Sequence, residues 1–173
     1  MKRTFGWFSF ILLANLLSAS CRHSSIDSEQ AGQLPGLVGA WKAKLQFQTG
    51  AFPAIKDLEF MYVFNVGGTM TESSNYDAAP PVPPAYGIWR RVGRNHFEAK
   101  YEFYITRMAT AAETTASGGG WLPAGRGVFV ESITLSDDGN SFTSKIRYEA
   151  FDQLGKPTKG GGDANGQGIR LNF

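Results

Sequence analysis

Glu131 is the residue of this chain whose position most strongly suggests chemistry. In the stretch GVFVESITL it has the same strand parity as Phe129, Ile133 and Leu135. An alternating strand would therefore point its carboxyl group the same way as three apolar side chains. A carboxylate in such surroundings is costly unless it is paired or protonated. We therefore expect Glu131 to face the interior, either as a ligand anchor or as part of a buried polar contact.

Two adjacent arginines could pair with Glu131. They lie in the segment GIWRRV, and strand register decides which one faces inward. If Trp89 faces inward, Arg91 does too, because residues two apart in a strand share a face. If Ile88 faces inward instead, Arg90 does too. Three interpretations stay open: Glu131 and an arginine anchor a ligand, they form a structural ion pair, or a bulge turns Glu131 outward.

Tyrosine hydroxyls and one tryptophan complete the candidate set. Tyr62, Tyr101 and Tyr148 lie at predicted inward positions of apolar strands. Trp121 lies in MATAAETTASGGGWLPAG, a run of small residues, where it can close over a pocket, contact a partner or pack on the rim. The candidate ligand-binding residues of the lumen and mouth are Glu131, Arg90, Arg91, Tyr62, Tyr101 and Trp121.

Other catalytic signals are weak. His23 lies in a polar segment and His96 follows a turn. The two histidines are too far apart in sequence to have metal-ligand spacing. The glycine runs 118–120 and 160–162 lack the strand–turn–helix setting of a phosphate loop. We therefore predict no catalytic residue, no metal site and no cofactor, and the sequence favours a non-enzymatic role without deciding it.

The elements that position these residues are predicted to be strands. Apolar residues alternate with polar ones in a series of segments separated by Gly, Asn, Asp and Pro. No segment has a clear helical period. The predicted strands are 40–48, 58–64, 69–72, 86–92, 97–106, 127–135, 142–149 and 168–173.

The connections between these strands alternate in length. Short turns follow the second, fourth and sixth strands, whereas long loops cover 49–57, 73–85, 107–126 and 152–167. In an up-and-down antiparallel sheet all long loops then lie at one end. Eight such strands can close into a barrel that has no exposed edge and holds one small ligand. We predict an all-β, eight-stranded antiparallel up-and-down barrel with a loop-rimmed mouth.

The N-terminal segment has the layout of an export signal. Basic residues precede an apolar run over 5–17, and small residues then lead to Cys21, the only cysteine of the 173-residue chain. Leu-Ser-Ala-Ser-Cys resembles the bacterial lipoprotein box, which implies lipidation of Cys21 and attachment to a membrane of the cell envelope. An ordinary signal peptide cut near Ala19 is the alternative. We assign 1–20 to the signal peptide, 21–36 to a flexible tether and 37–173 to the barrel.

Charge argues against nucleic acid as a partner. The chain has 17 basic and 15 acidic residues, and removal of Lys2 and Arg3 with the leader leaves 15 of each. A protein that binds nucleic acid needs an excess of positive charge to neutralise phosphates. No nucleic-acid partner is therefore predicted.

The start of the first strand carries a family resemblance. Gly39-Ala40-Trp41 resembles the Gly-x-Trp motif of lipocalins and their calycin relatives, in which a basic residue of the last strand packs across the tryptophan. Arg170 is the matching residue here, so Gly39, Trp41 and Arg170 are expected to form the barrel floor. The helix that follows the barrel in ordinary lipocalins is not predicted, which points to a reduced, lipocalin-like barrel.

Three functions follow as hypotheses. The resemblance implies a lipid-anchored envelope protein that binds a small apolar or amphipathic molecule inside the barrel. A barrel enzyme similar to allene oxide cyclases or dirigent proteins is the second. The third is a structural or interaction protein whose lumen is filled by its own aromatic side chains.

Overall fold

Eight antiparallel strands close into a barrel in the computed structural model, which describes residues 36–76 and 83–173. Each strand pairs with the next along the chain, and the last pairs with the first. The strands are β1 (Gly39–Phe47), β2 (Leu58–Phe64), β3 (Thr69–Ser74), β4 (Ala85–Arg91), β5 (His96–Met108), β6 (Trp121–Leu135), β7 (Ser141–Phe151) and β8 (Gly162–Arg170). The prediction of an all-β up-and-down barrel is confirmed, and the architecture is compatible with a lipocalin-like fold. The residues after β8, 171–173, are not helical.

The two ends of the barrel differ as the loop lengths predict. Connections 65–68, 92–95 and 136–140 are short and lie at one end, which we call the floor. The connections that follow β1, β3, β5 and β7 are longer, and they leave and re-enter the sheet at the opposite end, which we call the mouth. Antiparallel order alone dictates this separation, because each strand reverses the direction of the chain.

The connection at 107–126 contains more regular structure than the sequence predicts. β5 continues to Met108 and β6 begins at Trp121, so only 109–120 separates them. Within it lies a short helix, α1 (Ala111–Ser117), whose first turn is capped reciprocally by Thr110 and Glu113. Gly118 ends it in the left-handed conformation. Seven residues are too few to produce a recognisable apolar period, which is why the sequence predicts a loop here.

The last strand starts earlier than predicted and ends earlier. β8 covers Gly162–Arg170, whereas the sequence predicts 168–173. Its inward positions hold Ala164, Gly166 and Gly168, so the alternation of large apolar and polar residues is missing. A Cβ atom at Gly168 would lie 2.2 Å from the ring of Phe142. The small residues of β8 therefore make room for side chains that its neighbour β7 points into the lumen.

Aromatic side chains fill the floor half of the lumen. Trp41, Phe64, Phe97 and Phe142 are buried there, and the rings of Trp41 and Phe142 lie 5.2 Å apart. Further towards the mouth, stacked rings line β5, β6 and β7. Burial of an aromatic side chain contributes about 1.5–3 kcal/mol or more. The floor half is thus a conventional apolar core.

The predicted signal peptide, the lipidation site Cys21 and the tether fall almost entirely within residues 1–35, outside the described residues. Their assignments stay predictions. Within the described residues, no helix has the length and hydrophobicity required to cross a membrane.

Candidate functional site

The floor of the barrel is built by Gly39, Trp41 and Arg170. The guanidinium of Arg170 lies 4.2 Å from the centre of the Trp41 ring, in cation–π geometry. It also donates hydrogen bonds to the carbonyl oxygens of Gly36, Val38 and Gly139. Arg170 therefore joins the start of β1, the end of β8 and the turn between β6 and β7.

Gly39 has a specific geometric reason to be glycine. Its φ is +130°, and a Cβ atom there would lie 2.8 Å from a guanidinium nitrogen of Arg170. A side chain would strain the backbone and push Arg170 away from Trp41. The indole of Trp41 donates to the carbonyl oxygen of Leu37 at 2.8 Å, so its one polar group is satisfied although the residue is buried.

A polar cluster lies in the middle of the lumen, above the floor. Glu131 is 0% exposed, and the hydroxyl of Tyr101 donates to its Oε2 at 2.9 Å. The hydroxyl oxygens of Tyr62 and Tyr101 lie 3.4 Å apart. Because the proton of Tyr101 is directed at Glu131, Tyr62 is the donor to Tyr101. The structure thus brings together Glu131, Tyr62 and Tyr101 as a chain of hydrogen bonds.

Neither of the two arginines pairs with Glu131. Arg90 faces outward, where its guanidinium lies 2.6 Å from the carboxylate of Glu98. Arg91 lies with its guanidinium 4.5 Å from the centre of the Phe97 ring and donates to the carbonyl oxygen of Arg94. The two interpretations that pair Glu131 with an arginine are therefore wrong, and Arg90 does not face the lumen.

Strand register explains this correction. Trp89 faces inward and packs against Phe64 and Phe97, so Arg90 faces outward and Arg91 lies on the inner side. Trp89 and Glu131 are both opposite Ala99 on β5, whereas Arg91 is opposite Phe97, two residue pairs nearer the floor. Arg91 therefore reaches the ring of Phe97 and not the carboxyl group.

A second buried carboxyl group, missed by the sequence analysis, belongs to Glu72. It is 6% exposed, and its Oε1 has no hydrogen-bond partner in the described part of the chain. Glu72 lies opposite Tyr62 on β2 and Ala85 on β4. The signal that could have revealed it is parity, because Met70, Glu72 and Ser74 alternate along β3 with residues that point outward.

The two carboxyl groups influence each other. Burial, followed by the charge of Glu131, raises the pKa of Glu72 to about 8. Burial raises the pKa of Glu131 as well, whereas Ser144, Tyr101 and Tyr62 oppose that rise. Glu131 Oε1 nevertheless makes no hydrogen bond of normal geometry to a described residue. Burial also raises the pKa values of Tyr62 and Tyr101 well above the ordinary range of tyrosine.

A cavity of about 200 Å³ opens above this cluster at the mouth. Its lining is mainly aromatic and aliphatic, and apart from tyrosines Glu72 is the one titratable side chain among the described residues that line it. Rings of Phe52, Tyr76 and Tyr148 approach one another at its wall, with centres 5.7 Å apart in the Phe52–Tyr76 and Phe52–Tyr148 pairs. The cavity can therefore enclose an apolar group and place a polar group against a carboxyl.

Trp121 does not line this cavity. It opens β6 opposite Met108 and is 39% exposed. The predicted loop tryptophan is in fact the first residue of a strand, at the tip of the hairpin formed by β5 and β6. Its indole is available on the surface and not positioned over the described cavity.

A larger depression, of about 740 Å³, lies mostly on the outer faces of β1, β6, β7 and β8. Its lining is polar, with side chains such as Lys44, Thr143, Lys145, Asn165 and Gln167. None of its lining residues is aromatic, so it is a poorer match for an apolar ligand than the mouth cavity. The mouth cavity is the better candidate site.

The residues described offer little for metal or acid–base chemistry elsewhere. Within 36–76 and 83–173 no group of three His, Cys, Asp or Glu residues lies close enough to hold a metal ion. His96 is exposed at the floor, with its Nδ1 3.2 Å from the hydroxyl of Thr134. It is therefore remote from both carboxyl groups of the lumen.

No family model, curated protein or solved structure matches this chain.

Proposed function

We propose that this protein binds a small apolar or amphipathic molecule in the mouth cavity of a lipocalin-like barrel. The observation that carries the proposal is the combination of an apolar, aromatic-lined cavity with a buried carboxyl, that of Glu72, lacking a described partner for one oxygen. Buried polar atoms are normally satisfied, and ligand sites commonly combine apolar walls with one or two such groups.

The volume restricts the ligand to a small one. A dry apolar cavity of about 150 Å³ in another protein is large enough to bind benzene. The mouth cavity, at about 200 Å³, accommodates a ring with a short substituent. A long acyl chain would not be enclosed, because the lumen below Glu72 is filled by Tyr62, Tyr101 and Glu131.

We also propose that the chain belongs to the calycin group and that it is anchored by a lipid. Gly39-Ala40-Trp41 and the packing of Arg170 across the Trp41 ring support the first. The leader sequence that ends at Cys21 supports the second, together with a place in the bacterial cell envelope. A Cys21→Ala variant expressed beside the unaltered gene tests the anchor: we expect the variant to lose its acyl label and its membrane association.

Blocking the cavity tests the binding function. Ser74 lines the cavity, whereas its neighbour Ser73 is exposed on the outer face of the same strand. Native mass spectrometry of the purified protein, followed by titration with a library of small aromatic and aliphatic compounds, should reveal a bound molecule. We expect Ser74→Phe to abolish this binding and Ser73→Phe to preserve it. Binding that persists in a folded Ser74→Phe variant would place the ligand elsewhere.

A filled barrel that acts through its surface is the second candidate, because buried aromatic side chains fill the described floor half of the lumen. Under this alternative no library compound binds, and the exposed outer residues carry the function. The enzyme hypothesis has less support, since Glu131 is enclosed and does not line the cavity.

A further inference from the structure

The titratable side chains among the described residues that line the mouth cavity are all acidic. Glu72 lines it and Glu131 lies deeper, whereas no lysine, arginine or histidine is among the described residues that line it. The other titratable groups that act on Glu72 or share the cavity with it are all tyrosines: Tyr62 on β2, Tyr101 and Tyr104 on β5, Tyr148 on β7, and Tyr76 after β3. All of these groups become negative when they ionise, so none can neutralise a Glu72 carboxylate.

Aromatic rings make up much of the wall of the cavity. Phe47, Phe52, Phe60, Phe103 and Phe129 line it, and aromatic faces carry negative electrostatic potential. Phe47 and Phe52 approach edge to face, with ring centres 5.2 Å apart. Aromatic walls beside a carboxylate are the arrangement that binds organic cations in proteins, because each ring face and the carboxylate attract positive charge.

We infer that the ligand of the mouth cavity is a small organic amine, bound as its ammonium cation with the carboxylate of Glu72 as counterion. The inference rests on the proposed function and specifies its ligand class. Glu72 supplies the ion pair, the aromatic rings enclose the apolar part, and the cavity volume limits that part to about a single ring.

Anionic and neutral ligands fit the same site less well. A carboxylate ligand would meet Glu72 in a buried, poorly screened environment, where like charges repel strongly. A neutral alcohol could accept a hydrogen bond from protonated Glu72 but would form no ion pair with it. An ammonium group gains from the Glu72 carboxylate and from the ring faces.

Binding of a cation must be coupled to loss of a proton. Because the pKa of Glu72 is about 8 in the free protein, this group is mostly protonated at pH 7. An ammonium ligand stabilises the ionised form, so binding at pH 7 should release about one proton, whereas a neutral ligand should release none. The apparent affinity for the amine should accordingly rise from about pH 6 to about pH 8.

Isothermal titration calorimetry with three probes tests the inference. 2-Phenylethylamine, 2-phenylethanol and phenylacetate have similar size and differ in charge. We expect the amine to bind the purified protein at least about tenfold more tightly than the alcohol, and phenylacetate to bind weakest. Repeating the amine titration in buffers of different ionisation enthalpy measures the released proton.

Two variants provide the controls. Glu72→Gln should remove the preference for the amine and the proton release, with alcohol binding preserved. Glu149→Gln removes one exposed negative charge near the mouth and should change neither. If Glu72→Gln does not fold, the number of protons that the unaltered protein releases on binding the amine decides whether Glu72 is the counterion.

The other outcomes are distinct. Equal affinity for amine and alcohol, with no proton released, overturns the inference and leaves the proposed function intact. Failure of all three probes to bind also overturns it, and the cavity-blocking experiment with the compound library then decides the proposed function by itself.

Discussion

At the scale of single residues, side-chain parity predicts which groups face the lumen but not which groups they meet. Glu131 faces inward among apolar neighbours, as its sequence position indicates. Its partner is the hydroxyl of Tyr101, not an arginine, because partner choice depends on the register of strands that are distant in sequence. Glu72 was equally accessible to a parity argument, but β3 has only Met70 as a large apolar residue to mark its inner face.

The two buried carboxyl groups should make the free energy of unfolding depend on pH. Glu72 has a pKa of about 8 in the folded state against an ordinary value of 4.5. The folded state therefore binds more protons than the unfolded state between these values, and the free energy of unfolding falls as pH rises through that window. We expect a loss on the order of 3 kcal/mol between about pH 5 and about pH 8.5, with Glu131 contributing in the same direction.

Urea unfolding at several pH values measures this loss. Glu72→Gln should show a clearly smaller decrease than the unaltered protein, because glutamine does not titrate. The exposed Glu149→Gln variant should reproduce the full decrease. Parallel stability profiles for the unaltered protein and Glu72→Gln would show that Glu72 ionises in the folded state as easily as it does in the unfolded chain.

At the scale of elements, a strand is predictable when large apolar residues mark its inner face. β1, β2, β5 and β7 have such alternation, and the sequence locates them to within a few residues. β8 does not, because its inward side is occupied by Ala164, Gly166 and Gly168. The space that these residues leave is taken by side chains of β7, a relationship that becomes visible only when the two strands are paired.

Because side chains of β7 occupy the space above the small residues of β8, enlarging a β8 residue should lower the stability of the barrel strongly. A Cβ at Gly168 would lie 2.2 Å from a ring carbon of Phe142, so Gly168→Ala should destabilise the barrel by about 2–4 kcal/mol. Gln167→Ala, on the outer face of the same strand, should cost less than about 1 kcal/mol. Chemical denaturation of both variants measures the difference.

A double-mutant cycle then identifies the ring as the cause. Phe142→Leu shortens the side chain that the added methyl group of Gly168→Ala would meet. The pair of changes should therefore cost at least about 1 kcal/mol less than the sum of the single changes. Strictly additive losses would mean that the methyl group is accommodated by movement of β8 and not opposed by Phe142.

At the scale of the whole molecule, the barrel has two unequal halves. The floor half is filled by aromatic side chains and held by Arg170, which bonds to three carbonyl oxygens outside its own strand. The mouth half contains the cavity, the longer connections and the extended tips of β5 and β6. Sequence alone predicts this polarity from loop lengths, but not the depth of the cavity, which depends on how far rings from many strands extend into one space.

Hydrogen exchange should reveal the same division. Amides of β6 near the floor, at 131–135, lie in continuous pairing on both sides and should exchange only through global unfolding. Amides of the hairpin tip, at 107–108 and 121–122, pair only with each other and pack on little core, so they should exchange through local opening. We expect the free energy of opening at the tip to be lower by at least about 2 kcal/mol. Adding a cavity ligand should slow exchange around 72–76 and 103–105 without changing the tip. Uniform protection across all these segments would contradict the division into a rigid floor and a more open mouth.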